Sequence, residues 1–547
     1  MFDPMRSLSK IDLFLGFALF ILVLEASRRS AGIIFSIMAA FLLIYACYGN
    51  YFPGIWQHKG FSFFLIVETL YHTGNGIWGI LLDISATILA VFAIFGGILL
   101  ATGGGSTFIE IAKLMTKRSI GGTAKVAIIA SSLFGMASGS AIANVVTTGT
   151  FTIPAMKASG FKNYFAGAVE AVASTGGQLV PPIMGAGAFI MAEIVGVSYL
   201  HIAKAAIIPA LLYYIGLYWS VHLEALKQNI TSTSGNNKSK NINHINFAKI
   251  IILILPIIVL LIFLISGYTV MKSGVWAIIV AFFLYLFYNW KTIFHDIRSL
   301  FKVIYEICRV SSNTIMRTIA LLASAQIIVS LISLTGIGVK FSDVIVSLGS
   351  NHLFLGLLLS AIICLILGMG LPTTGAYVLA ASVVAPAVIR LGIPPLMAHL
   401  FVFYFSVLST ITPPVCAASL LASSIAKSSW VKTAITGVQL AFPGFLVPFA
   451  FVYRPVLLLT GGSILATIFF SITAIIGIIS LGSGTVGYLF GPIQNIILRI
   501  ILIMSGTLMF VPKISINIVG LVIIIIIFSL EYLQYNIRIK KLNEEIK

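Results

Sequence analysis

The chain has 547 residues, of which 59% are hydrophobic and only 9% charged, with a mean hydropathy of +1.10. A soluble globular protein carries about 25% charged residues, so this chain cannot clothe itself in a solvated surface. Its formal net charge of +18 falls in short Lys/Arg clusters between apolar runs, as cytoplasmic loops of membrane proteins show, which excludes a nucleic-acid-binding face. Residues 11–24 are the first apolar stretch; Glu25 and Arg28-Arg29 follow without a small-residue cleavage site, which predicts a retained helix. A second span is expected over 30–48, a loop with Pro53 and Trp56 over 49–60, a weaker interfacial stretch over 61–71, and a span over 81–102 ending in Gly103-Gly104-Gly105.

The character changes from Gly121 onward. Residues 125–157 are apolar but crowded with Gly, Ser, Thr and Asn. They lead into 165–180, a break at Pro181-Pro182, and apolar stretches over 183–197 and 203–222. The polar run 227–246 reads as an exposed linker. Spans over 250–265 and 275–290, a basic amphipathic segment over 291–309 and a span over 311–334 precede a second interrupted region that begins at Leu353. That region runs through Pro386 and breaks at Pro413-Pro414; about four more apolar spans then lead to a charged tail over 538–547.

The apolar runs are too long for barrel strands and lack two-residue alternation. The expected fold is an all-α polytopic membrane protein with roughly 13–15 transmembrane helices, two re-entrant hairpins and two broken helices. The expected parts are N-terminal helices over 1–76, a first repeat over 77–226, a linker over 227–247, a second repeat over 248–455, and C-terminal scaffold helices with the tail over 456–547. Cys47, Cys308, Cys364 and Cys416 show no CxxC spacing and read as small hydrophobes.

An internal repeat organises the two interrupted regions. One shift pairs Pro154 with Pro386, Ala155 with Ala387, Gly160 with Gly392, Ala166 with Ala398 and Ser174 with Ser406. The same shift pairs Pro181-Pro182 with Pro413-Pro414 and Ala186 with Ala418. Interrupted hydrophobic segments at matching places in two halves point to the binding site of a secondary transporter.

Breaking a helix in a bilayer frees N–H groups at one half-helix start, which suit an anion, and C=O groups at the other's end, which suit a cation. Ser138-Gly139-Ser140 and Pro372-Thr373-Thr374 set hydroxyls beside such breaks, and Gly139 and Gly370 let backbone approach a ligand. Uncharged oxygen shells at Ser138, Ser140, Thr373 and Thr374 suit Na⁺ better than a transition metal. Small residues also mediate plain helix packing, and Asn144 fits either a helix–helix hydrogen bond or a site. Glu170 and Glu193 lie in apolar surroundings, where a carboxylate is a candidate for coupling. No HExxH, GxSxG or Walker A pattern occurs and the aspartates are dispersed, so no enzyme is expected and no cofactor beyond a coupling ion, Na⁺ or H⁺.

At these same residues the chain resembles the permeases of tripartite ATP-independent periplasmic (TRAP) transporters, and among them the fused permeases of the TAXI subgroup. The run from Ser138 to Pro154 resembles the first hairpin. The stretches Glu170 to Gln178, Pro181 to Ala186, Gly368 to Thr374 and Thr412 to Pro414 match further motifs. Val23 to Arg29 is similar to the segment ahead of the fused family's large domain. The resemblance implies an inverted repeat, an elevator-type mechanism and a multi-pass place in the bacterial inner (cytoplasmic) membrane. It also implies ion-driven import, commonly with Na⁺, of a small organic anion of carboxylate type, delivered by a periplasmic TAXI-type substrate-binding protein. By position, Ser138, Gly139, Ser140 and Asn144 would form the first hairpin tip. Pro181, Pro182 and Gly185 would mark the broken helix facing it, and Gly370, Pro372, Thr373, Thr374, Pro413 and Pro414 the second set. Fused relatives carry further helices ahead of the segment resembling Val23 to Arg29. Either the small-subunit-like portion is shortened or the true start lies upstream, and a separate small membrane subunit is among the expected partners. The alternative reading is an ion-coupled transporter or exchanger that needs no binding protein, and after it a channel.

Overall fold

The computed structural model describes residues 9–116, 119–230, 247–349 and 352–546, so most of the expected linker lies outside the described residues. The first part comprises α1 (Lys10–Ala31), α2 (Ile34–Tyr48), α3 (Phe63–Tyr71), α4 (Ile80–Ile84), a π-turn (Ser85–Leu89), α5 (Ala90–Ala101) and α6 (Gly104–Thr116). Next come α7 (Gly122–Ser138), α8 (Ala141–Ala158), α9 (Asn163–Gly176), α10 (Ala186–Val195) and α11 (Tyr199–Lys227). The second half holds α12 (Phe247–Ile265), α13 (Val270–His295), α14 (Ile297–Thr335), α15 (Ile337–Gly349), α16 (Leu353–Gly368), α17 (Thr373–Val383), α18 (Ala385–Arg390) and α19 (Pro395–Leu408). It closes with α20 (Ala417–Ala426), α21 (Trp430–Tyr453), α22 (Ile464–Val486), α23 (Ile496–Leu508) and α24 (Ile514–Ile546).

Among the described residues eight helices are long and apolar enough to cross a membrane, and most of the shorter apolar ones lie in the two interrupted regions. The protein is an all-α polytopic membrane protein, because only helices satisfy their own backbone groups in lipid and these lack the strands of a barrel. One expected boundary moves. The basic segment at 291–309 is divided at Asp296: its first residues end α13, while the rest and the span after it form one helix, α14, 39 residues long. Its Asp296 cap and unbroken 3.6-residue periodicity leave no stop signal between them. The span expected at 81–102 is present as one continuous apolar stretch, Ile80–Ala101, with the π-turn inside it, where Ser85 turns its hydroxyl back to the Leu81 carbonyl.

The repeat read from the prolines is a repeat of helices. The shift from Pro154 to Pro386 carries both ends of α8 onto the start of α17 and the end of α18, and both ends of α9 onto those of α19. It carries α7 and α10 onto α16 and α20 to within a few residues. The copies differ at the proline: Pro154 sits inside an unbroken α8, whereas Pro386 opens α18 after a break at Val384. Both Pro-Pro bonds are cis.

The chain packs into two compact units, and each is built from both copies. The first unit comprises Met1–Thr107, Gly185–Leu200 and Asn246–Ser409, and so holds α16 to α19 of the second copy with α10 of the first. The second comprises Phe108–Met184, His201–Ile245 and Thr410–Lys547, and holds α7 to α9 of the first copy with α20 of the second. Each has a buried central helix. In the second unit α9 is buried from Phe165 to Gly176 and packs against α7, α8, α20 and α21. In the first, α19 is buried from Met397 to Leu408 and packs against α16, α17 and α10.

Candidate functional site

In the second unit the small side chains of α9 let four helices approach closely, as glycine- and alanine-rich membrane helices do. A Cβ on Gly176 would stand 2.2 Å from the Tyr213 ring, and one on Gly149 would stand 3.1 Å from Glu170 Cγ. Within this packing Glu170 is fully buried. Four hydroxyls surround its carboxyl. Ser131, Thr148 and Ser174 stand 2.8, 2.5 and 3.1 Å from Oε1, and Thr152 stands 2.5 Å from Oε2. Thr148 and Thr152 lie one turn apart on α8, and Glu170 and Ser174 one turn apart on α9, so helical spacing places each pair on one face. Among the described residues no Lys, Arg or His pairs with this carboxyl. A buried, unpaired acidic group in lipid is costly, which keeps Glu170 a candidate for a functional role.

Asn144 is fully buried beside it. Its amide donates to the Ser131 carbonyl at 2.7 Å, tying α8 to α7, while its Oδ1 stands 3.0 Å from Thr148 Oγ1. The helix–helix hydrogen bond is therefore present, and it holds Asn144 beside the Glu170 cluster. Gly139 takes the left-handed backbone (φ +62°) that turns the chain from α7 to α8. Ser140 caps α8, accepting from the Ala143 N–H at 3.3 Å. The Ser138 hydroxyl and the Gln178 side-chain nitrogen are buried without partners among the described residues, one at the end of α7 and the other in the 3-10 turn that α7 packs against. Pro181-Pro182 and Pro413-Pro414 lie in this unit, where the break before α20 is tied by a 3.0 Å bond between Thr175 and Thr410 hydroxyls.

In the first unit, Gly370 turns the chain with φ +72° and Pro372 caps α17, so that Thr373 and Thr374 open the helix. Neither hydroxyl has a hydrogen-bond partner among the described residues, and the first-turn N–H groups of α17 form a helix N-terminus, where anions are favoured. Gly185 opens α10 with φ +70°. Behind the α17 tip, Tyr377 and His399 share a 3.0 Å hydrogen bond, and Phe403 packs edge-on against Tyr377. Glu193, expected in apolar surroundings as a coupling candidate, is exposed near the end of α10, beyond the packed part of that helix, and makes no ion pair among the described residues. The structure brings Ser138, Gly139, Ser140, Asn144, Glu170 and both Pro-Pro pairs into one unit, and Gly185, Glu193, Gly370, Pro372, Thr373 and Thr374 into the other. Sequence reading missed Ser131, Thr148, Thr152 and Ser174, although the four-residue spacing around Glu170 was available.

Comparison with known proteins decides what these hairpins belong to. The sequence model described as "Tripartite ATP-independent periplasmic transporter, DctM component" matches residues 18–464. The chain belongs to this family. It is 24% identical over 425 residues to the C4-dicarboxylate TRAP transporter large permease protein DctM of Vibrio cholerae, covering 74% of this chain and 91% of that protein. It is also 24% identical over 386 residues to the 2,3-diketo-L-gulonate TRAP transporter large permease protein YiaN of Escherichia coli, covering 69% and 86%. A third relative, the isethionate TRAP transporter permease protein DctMQ of Oleidesulfovibrio alaskensis, is 24% identical over 348 residues, which are 63% of this chain and 53% of that protein. The chain is thus a TRAP permease and not an enzyme, a multi-pass protein of the inner membrane whose family works with a periplasmic substrate-binding protein.

Proposed function

We propose that this permease imports a small organic anion, handed over by a soluble periplasmic binding protein, and is driven by an ion gradient through an elevator-type movement. The observation that carries the reading is the repeated hairpin and broken helix, the arrangement in which transporters place solute and ion. The open N-terminus of α17, with the unpartnered Thr373 and Thr374, suits an anionic solute, and so does the Ser140-capped start of α8. The three relatives are named for a dicarboxylate, a diketo sugar acid and a sulfonate, which supports a carboxylate-type or similar anion as cargo.

The motif strings around Glu170 and Pro181-Pro182 support a TAXI-type binding protein and the TAXI subgroup. Val23 to Arg29 supports the fused type. The test is uptake of labelled C4-dicarboxylates and 2-keto acids into proteoliposomes, with and without the cognate binding protein. Uptake that needs the binding protein is expected. Equal uptake without it would favour an ion-coupled transporter or exchanger that works alone.

A further inference from the structure

The oxygens around Glu170 outnumber the hydrogens that could sit between them. Thr148 Oγ1 has four oxygen neighbours: the Asn144 carbonyl at 2.9 Å, Asn144 Oδ1 at 3.0 Å, Ser131 Oγ at 3.0 Å and Glu170 Oε1 at 2.5 Å. Its hydroxyl carries one hydrogen. The Asn144 orientation is fixed, because the amide donates to the Ser131 carbonyl at 2.7 Å and the reverse would set two acceptors face to face. If Glu170 is a bare carboxylate and takes the Thr148 hydrogen, both Asn144 oxygens face lone pairs on Thr148 Oγ1. If Thr148 donates to Asn144 instead, the carboxylate meets a lone pair at 2.5 Å.

We infer that Glu170 holds a proton: its O–H donates to Thr148 Oγ1, Thr148 donates to the two Asn144 oxygens as a three-centre bond, and Thr152 and Ser174 donate to the carboxyl. With that one added hydrogen, Ser131 shares its own between Glu170 Oε1 and Thr148 Oγ1, and Thr152 shares its own between Glu170 Oε2 and the Thr148 carbonyl at 3.0 Å, so that no pair of oxygens faces without one. A metal cation fits less well, since each hydroxyl already stands at hydrogen-bond distance from the carboxyl and an ion would have to part them.

The charged and titratable groups on the surrounding elements are engaged elsewhere. Lys125 of α7 donates to Ser119 and His222, and Lys157 of α8 donates to the Ala426 carbonyl. Lys427 at the end of α20 and Lys432 of α21 are exposed. The Tyr213 and Tyr214 hydroxyls donate to the Val172 and Ala173 carbonyls. Tyr164 opens α9 and Tyr453 closes α21, away from the four hydroxyls. The second copy lacks the cluster, for the shift places Val402 at the position of Glu170, Ala380 at that of Thr148 and Val384 at that of Thr152. The proton site belongs to the second unit and has no counterpart at the matching positions of the second copy. Its meaning as the coupling proton rests on the import reading above; the protonation itself does not.

Infrared difference spectroscopy of the full chain in lipid nanodiscs, wild type against Glu170→Gln at neutral pH, tests it without transport. A protonated-carboxyl C=O band present in the wild type, absent in Glu170→Gln and unmoved by added Na⁺ is expected. Absence of that band, or its loss on adding Na⁺ at constant pH, would overturn the inference. Thr148→Val is the second variant, should Glu170→Gln not fold: removing the acceptor shifts the band to higher frequency, and an unshifted spectrum contradicts the assignment. Failed uptake with an intact band would sink the import reading alone.

Discussion

Gly135 and Gly177 lie back to back in the second unit, so close that a Cβ on either would stand 2.7 Å from the other's Cα. The obstacle is backbone on both sides, and the Gly177 Cβ would also meet the Ser131 carbonyl at 2.8 Å. Gly177→Ala must push α7 off the 3-10 turn and drag Ser131 from Glu170. Overpacking of this kind destabilises by about 1–3 kcal/mol. Thermal melts in detergent should show the loss, with uptake falling further than stability alone explains.

Thr373→Ala removes a hydroxyl with no partner in its own unit, so the melting temperature should stay where it is. If the α17 tip holds the anionic solute, the half-saturating solute concentration rises about 3–10-fold, the worth of one hydrogen bond. Ser140→Ala separates from it, because it also removes a helix cap worth about 1 kcal/mol. Titrating uptake against solute for both variants checks the pair, and an unchanged KM in both removes these hydroxyls from the site.

Tyr377→Phe strands His399 Nδ1 in a buried setting without its 3.0 Å partner. Leaving a buried polar group unsatisfied costs about 1–3 kcal/mol. Denaturant melts should register this in the first unit with little effect on binding. A large loss of affinity at constant stability would make the pair part of the site.

Arg454 is buried at the end of α21 and bonds Thr473 at 3.0 Å and the Asn517 side chain and Val511 carbonyl at 2.5 Å each, with the Phe470 ring 4.2 Å from its guanidinium carbon. Three elements hang on one planar fork, which an ammonium cannot reproduce. Arg454→Lys and Arg454→Met should both destabilise by at least about 2 kcal/mol, measured by denaturation.

The register of the repeat was legible in the sequence because proline acts locally: each one removes a backbone donor whatever packs around it, and both Pro-Pro pairs stand where a helix is interrupted. The shift read from Pro154 and Pro386 therefore matched helix ends it had no direct knowledge of. Glu170 was legible because an acidic residue in an apolar run is expensive on any fold. Its four hydroxyl neighbours were not, since which of many Ser and Thr side chains converge depends on how α7, α8 and α9 pack. The exposure of Glu193 was hidden for the same reason, since its neighbours in sequence are apolar. The exchange of α10 and α20 between the units left no mark in composition or periodicity; it is a property of three-dimensional packing alone.

The most direct test of ion-driven import is the gradient itself. Proteoliposomes carrying the permease, any required small subunit and the cognate binding protein would be offered labelled solute under an imposed inward proton gradient, an imposed Na⁺ gradient, or neither. Accumulation above the external concentration only when a gradient is imposed, with the proton gradient sufficient and its effect lost in Glu170→Gln, is the predicted result. Accumulation at the same rate and to the same level with no gradient would contradict it.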